Sequence, residues 1–234
     1  MPDTPWINTS QRFIAFFDIL GFKDLVLKST HKEILDKLVI LQNRIKDFGK
    51  FRENKDLKKY DFDVDQTKSV TFSDSFLFFS KGNTLNDVLK ILLDSYALLK
   101  KATEIGIAIK GAISFGEITV DFENSLFYGQ PIIDAYLLHE ELIMLTAIVD
   151  HNFEIQLEKL PKDTLIESML GSCKANLRSG KITHQVLKPS GKGVAAERIL
   201  ILKKMYKNTS GKPRIYIDNT IEFYSTLLDI NKVL

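Results

Sequence analysis

Two aspartates stand where apolar strands should end. Asp18 interrupts Arg12-Phe13-Ile14-Ala15-Phe16-Phe17-Asp18-Ile19-Leu20-Gly21-Phe22, and Asp74 interrupts Ser69-Val70-Thr71-Phe72-Ser73-Asp74-Ser75-Phe76-Leu77-Phe78-Phe79. Short apolar runs rich in aromatic and β-branched residues read as buried strands. An ionised carboxylate within such a run is costly unless something pairs with it. Asp18 precedes a turn at Gly21, after which the pattern becomes helical. Asp74 lies between two apolar arms, as at the tip of a β-hairpin. Carboxylates on two adjacent strand ends are a donor set for a pair of divalent metals, roughly 3.5–4 Å apart, that clamp a phosphate. Either aspartate alone also suits a turn cap; the repetition of the design on two apolar strands points to metal chemistry.

The elements that must position these groups are legible to different degrees. Residues 1–11 are a polar, proline-bearing lead-in, and residues 12–234 read as one domain, with a core of about 12–160 and a C-terminal extension over 161–234. Strand one is expected over Phe13 to Ile19, then a helical turn over Phe22 to Ser29. An amphipathic helix follows over His31 to Phe48, with Ile34, Leu38, Leu41 and Ile45 at helical spacing. The charged segment 49–68, with Lys50, Arg52, Lys58 and Lys59, reads as a mobile loop or a frayed helix end, and loops beside a site often carry recognition. After the Asp74 hairpin, Thr84 to Thr103 forms a second helix, with Thr84 or Asn86 as N-cap and Val88, Leu92, Tyr96 and Leu99 in its apolar stripe. Ile107 to Phe115 is strand-like and Gly116 opens a turn. Ile118 to Val120 and Ser125 to Tyr128 form a hairpin. Pro131 sits in the first turn of a helix that runs to about Leu142. A strand over Leu145 to Val149 and a helix over Asn152 to Leu160 come next. Beyond Pro161 the expectations are a helix over Thr164 to Leu177, strands over Ile182 to Leu187, Ile199 to Leu202 and Arg214 to Ile217, and a helix over Thr220 to Leu228.

The order strand–helix–hairpin–helix–strand–hairpin–helix–strand predicts an α+β, ferredoxin-like core: a mostly antiparallel sheet with helices on one face and C-terminal additions. Metal carboxylates on the central strands of such a sheet occur in polymerase palms and in nucleotidyl cyclases. The formal charge of +2 over 234 residues gives no basic channel for a template, which disfavours the polymerase and any nucleic-acid partner. Cys173 is the only cysteine, so disulfide frameworks and cysteine metal sites are excluded, and a reducing, cytoplasmic setting is expected. No apolar run approaches the roughly 20 residues that span a bilayer, so no membrane partner is expected. The first residues have no signal-peptide pattern.

Four stretches resemble class III nucleotidyl cyclases. Phe16-Phe17-Asp18-Ile19-Leu20-Gly21-Phe22 is similar to that family's phe-x-asp-ile-x-gly-phe signature. Phe72-Ser73-Asp74 falls where the family has its gly-asp metal ligand. Ile109-Lys110-Gly111 to Gly116 resembles its gly-ile-x-x-gly strand, and Leu126-Phe127-Tyr128-Gly129 through Ala135 and Leu138 resembles a later helix start. The resemblance covers roughly Phe13 to Leu160. It departs from the family at four positions. The purine-reading Lys and Asp positions hold Val70 and Leu126, and the transition-state Asn and Arg positions fall near Ile133 and Leu137. The aromatic Asp18 motif, Ser-Asp-Ser, Lys-Gly-Ala-Ile-Ser and the Ala-Tyr helix are most similar to the bacterial pyrimidine cyclases of Pycsar anti-phage systems.

That resemblance implies conversion of UTP or CTP to the 3′,5′-cyclic monophosphate and pyrophosphate by two Mn²⁺ or Mg²⁺ ions, in a head-to-tail homodimer with sites at the interface. The cyclic product would activate a separate effector. Asp18 and Asp74 would be catalytic metal ligands, with the Ile19 carbonyl as a further ligand. The backbone N–H groups of Leu20, Gly21 and Phe22, with Lys192, would bind the triphosphate. Base readout is assigned to the region of Val70, Thr71, Lys110 and Leu126. A lysine donates only, so Lys110 against the uracil O4 and O2 acceptors favours UTP over CTP. Lys110, Lys188, Lys192, Arg198 and the basic loop are candidates for the missing transition-state cation. Asp134, Tyr136 and Glu140 lie on the helix expected to face the partner. His31, His139, His151 and His184 show no ligand spacing and are given no chemistry. Two other readings stay open: a purine cyclase with displaced base readers, and a degenerate domain that binds nucleotide without turnover.

Overall fold

The computed structural model describes residues 5–46, 57, 60, 62, 65–189 and 191–229. Most of the charged segment before Lys68, including Arg52, Lys58 and Lys59, lies outside the described residues. The chain order is β1 (Thr9–Ile19), α1 (Phe22–Lys28), α2 (His31–Lys46), β2 (Thr67–Phe72), β3 (Ser75–Ser80), α3 (Leu85–Glu104), β4 (Ile109–Asp121), β5 (Leu126–Tyr128) and α4 (Gln130–Glu141). It continues with β6 (Ala147–Val149), α5 (His151–Glu158), α6 (Thr164–Met169), β7 (Leu170–Leu177), β8 (Gly180–Leu187), α7 (Lys192–Met205) and α8 (Pro213–Asp229).

The strands form a single eight-stranded sheet in the order β2-β3-β1-β4-β6-β8-β7, with β5 against β4. β1 is central and antiparallel to both neighbours; β4 and β6 pair in parallel. Alternation along β1 sends side chains to both faces. Phe13, Ala15, Phe17 and Ile19 enter a core with α3 and Phe153 of α5. Ile14 and Phe16 enter a second core with Ala135 of α4 and with Ile217 and Phe223 of α8. The helices therefore cover both faces, not one as expected from the element order. A strand apolar on both sides, as β1 is, requires this.

The structure moves several boundaries. β1 starts at Thr9, inside the expected lead-in, because Thr9, Ser10 and Gln11 pair with Thr119, Ile118 and Glu117. Gly116 opens no turn; β4 runs through it, and a Cβ there would lie 2.8 Å from Pro131 Cγ at the start of α4. The segment expected as one helix over Thr164 to Leu177 splits into α6 and β7, and β7 finds its ladder partner in β8. The expected strands at Ile199 to Leu202 and Arg214 to Ile217 are parts of α7 and α8. Short apolar runs do not distinguish strand from helix. Here the burial of Ile199 and Leu202 with Leu200 exposed shows the helical period.

Candidate active site

β1 delivers Asp18 to the end of the sheet between two partners: Ser75 of β3 on one side and Lys110 of β4 on the other. The Asp74 side of the site is a two-residue connection between β2 and β3, in which Ser73 takes a positive φ of 55°. A hydrogen bond from Ile19 N–H to the Asp74 carbonyl, 3.1 Å, locks that connection to the end of β1. N–H and C=O of one strand residue point to the same side, so the Ile19 carbonyl also faces the Asp74 turn. The chain thus brings together Asp18, Asp74 and the Ile19 carbonyl, the three expected metal ligands.

Electrostatics at Asp18 fit a cation. Burial, then the nearby charge of Asp74, push its carboxyl up to about 6. A hydrogen bond from the Ser75 hydroxyl, 3.0 Å, and the Lys110 charge oppose the shift without cancelling it. Two carboxylates short of counter-charge at an open strand end are what a divalent cation would neutralise. Among the described residues no cluster of three or more His, Cys, Asp or Glu offers a fuller metal site.

The triphosphate assignment changes in two places. Leu20 N–H is already bonded to the Ala108 carbonyl at 2.8 Å. It extends the β1–β4 ladder and is not available to a phosphate. Gly21, at φ 75° in the left-handed region, turns the chain into α1, which begins at Phe22. Lys192 opens α7. The part of α7 that shares a cavity wall with Leu20 and Gly21 is its other end, Ile201, Lys204 and Met205. Lys204 lies twelve residue steps along α7 from Lys192, roughly 18 Å at about 1.5 Å per step.

Lys110 is the largest departure from expectation. Its side chain is buried, and Nζ donates to three carbonyls: His139 at 2.7 Å, Leu142 at 3.1 Å and Glu140 at 3.4 Å. These carbonyls end α4, where a cation satisfies orphan acceptors and the helix dipole together. The ammonium also lies 5.5 Å from the centre of the Tyr216 ring. Burial pulls its pKa down to about 8, so it is charged at neutral pH. Lys110 caps α4, and its ammonium is engaged there.

Around it lies a cluster that spacing did not show. His139 is buried against Phe16, ring centroids 5.1 Å apart. Burial, then the Lys110 charge, lower its pKa to about 4, so the ring is neutral, and its Nε2 has no partner among the described residues. Glu140 pairs with Arg178 at 3.1 Å. The only signal in the sequence was the position of His139, four residues after Ala135 on the buried side of α4. Val70 is half-buried against the second core, while Leu126, Ile133 and Leu137 are exposed. Arg198 is buried with its guanidinium 4.7 Å from the Tyr96 ring, a packing role on α3.

The fold is that of class III nucleotidyl cyclase catalytic cores. The guanylate cyclase domain of RhGC from Catenaria anguillulae, in complex with GTP, superposes with a TM-score of 0.53 at 11% identity, over 79% of this chain and 100% of that one. A bacterial light-regulated adenylyl cyclase matches with a TM-score of 0.50 at 12% identity, over 85% of this chain and 100% of that one. The catalytic core of a rhodopsin-guanylyl cyclase with converted specificity, in complex with ATPalphaS, gives 0.50 at 12% identity, over 79% and 100%. No protein-family model and no curated protein matches the sequence.

Proposed function

We propose that this protein is a metal-dependent nucleotidyl cyclase acting on a pyrimidine ribonucleoside triphosphate, and that its cyclic monophosphate is a second messenger of bacterial anti-phage defence. The observation that carries the reading is the convergence of Asp18, Asp74 and the Ile19 carbonyl on one strand end of a cyclase fold. Mn²⁺ or Mg²⁺ held there would lower the pKa of the ribose 3′-hydroxyl and bind the triphosphate. This chain's residues orient that chemistry. Ser75 holds Asp18 by its hydroxyl, and the Gly21–Phe22 turn offers N–H groups to the phosphates.

The pyrimidine assignment rests on Val70 and Leu126, apolar at the purine-reading positions, and on the motif resemblance. The preference for UTP over CTP depended on Lys110, whose donors are engaged at α4, so the proposal covers both substrates. The reading includes a homodimer. Ile133, Tyr136 and Leu137 form an exposed apolar face on α4, and Phe72, 79% exposed, stands beside the Asp74 turn. No helix among the described residues is long and apolar enough to cross a membrane.

A second reading is a domain that binds nucleotide without turnover, favoured by apolar Ile133 and Leu137 at the transition-state positions. Incubation with each of the four ribonucleoside triphosphates and Mn²⁺, with products identified by mass, separates the readings. Cyclic UMP or cyclic CMP with pyrophosphate is the expected result. Product from a purine triphosphate alone would replace the substrate assignment, and saturable binding without product would favour the second reading.

A further inference from the structure

A cavity of 530 Å³ lies behind the carboxylate end of the sheet, and neither Asp18 nor Asp74 lines it. One wall is Ile19, Leu20 and Gly21. The facing wall comes from the C-terminal helices, with Ile201 and Met205 of α7 and Ile217 of α8. Its size falls in the range of small-molecule pockets, about 300–1,000 Å³, which are mostly apolar with a few placed polar groups.

Its polar groups are unbalanced. Lys28, Lys37 and Lys204 reach the cavity, and none has an ion-pair partner among the described residues. Two acids also line it, Asp24 and Glu104. Glu104 is already countered by Lys101 at 3.5 Å and Lys100 at 4.0 Å. Lys37 faces the Glu33 charge one turn earlier on α2, and Asp24 is left against the ammonium groups of Lys28 and Lys204. An apolar floor under an excess of positive charge attracts a molecule with an apolar body and an acidic group.

We propose that this cavity is a second ligand site, for a small amphiphilic anion whose apolar body rests on Ile201, Met205 and Ile217 and whose carboxylate, sulfonate or phosphate meets the three lysines. A ligand here would share Ile19 and Gly21 with the proposed active site without contacting either carboxylate, so its occupancy would bear on turnover. The C-terminal residues beyond 160 supply more than a third of the cavity lining and give this part of the chain a function of its own. The inference does not depend on the substrate or on turnover.

The test is fluorescence titration of the metal-free full chain with anilinonaphthalene sulfonate, an amphiphilic anion, beside N-phenylnaphthylamine, which lacks the acidic group. Lys204→Glu is expected to raise the sulfonate's Kd about tenfold, while the neutral probe changes by less than about twofold. Ile201→Trp, which fills the cavity from a half-buried helical position, should weaken both probes. Circular dichroism melts confirm that the variants fold. Equal sulfonate affinity in native protein and Lys204→Glu overturns the proposal, as does equal affinity of both probes in Ile201→Trp and native protein. Displacement of the sulfonate by UTP with Mn²⁺, with Kd rising in proportion to nucleotide concentration, would make the cavity the substrate's own seat and also overturn it. Failure of any triphosphate to yield a cyclic product leaves these arms standing, so the two readings fail separately.

Discussion

Asp18 is asked to do opposite things in the metal-free and metal-bound protein. Burial and Asp74 raise its folded pKa to about 6, above the ordinary 3.8. The folded state then holds a proton that the unfolded state has released, so metal-free stability falls as pH rises from about 4 to about 6. Asp18→Asn should remove this slope and, at neutral pH in a chelator, unfold at a higher temperature than native protein. The same substitution, and Asp74→Asn, should lower turnover by at least about a hundredfold if, as proposed, each is a metal ligand whose charge stabilises the transition state. Thermal melts across pH and initial rates at matched Mn²⁺ check both halves; full activity in either variant would remove the two-metal assignment. Lys110 makes a contrasting case. Lys110→Met strands three buried carbonyls at the end of α4 and should cost about 1–3 kcal/mol of stability. The ratio of cyclic UMP to cyclic CMP from an equimolar mixture should not change. A shifted ratio would return Lys110 to the base site.

At the scale of elements, the site depends on how closely β1 and β4 approach. Gly111 lies opposite Phe17, and a Cβ there would fall 2.4 Å from Phe17 Cδ1 and 2.5 Å from the Phe16 carbonyl. Backbone cannot yield as a flexible side chain does. Gly111→Ala is expected to cost about 1–3 kcal/mol and to loosen the β1–β4 ladder next to Asp18, shifting the end of β1 against the Asp74 turn. Denaturant titration should show the loss of stability, and weaker activation by Mn²⁺ should show the displaced ligand. Native stability in this variant would mean that the two strands have slack. The α3 helix behaves differently, being fixed locally by a capping box between Thr84 and Asp87 and internally by a buried Lys90–Asp94 pair at 2.6 Å. It supports the sheet from one face without reaching the carboxylates.

At the scale of the molecule, the exposed apolar face of α4 and the carboxylate end are both on one chain, and the proposed dimer brings one chain's face to the other's end. Leu137→Glu places a charge on that face, 56% exposed in the single chain. It should leave the single chain folded by circular dichroism, because exposed substitutions change its own stability little, with a melting temperature that no longer depends on protein concentration. In sedimentation it should give monomers, and alone it should be inactive. Mixing it with inactive Asp18→Asn should restore part of the activity, since one assembled site then carries intact carboxylates and an intact partner face. An active monomer by light scattering during turnover would end the dimer reading.

The carboxylate site was legible in the sequence because it is local. Asp18 and Asp74 each break an apolar strand within a few residues, and the desolvation cost of a buried charge needs no tertiary information to be felt. The hairpin at Asp74, an N-cap at Thr84 or Asn86 and the helix opening at Pro131 were legible for the same reason; the structure chooses Thr84. What the tertiary structure decided is how distant groups spend their bonding capacity. Lys110 looked like a reader of uracil because its strand leads to the site. The end of α4, 29 to 32 residues further on, claims its ammonium instead. Leu20 N–H looked free for a phosphate until Ala108 took it. Within residues 164–217 the strand at Ile182 to Leu187 was legible, but other runs misled in a related way: Ile199 to Leu202 suits a strand or a helix equally, and only the available partners choose. Leu170 to Leu177 became a strand because β8 lay alongside. Ile199 to Leu202 became a helix because its buried face met the second core.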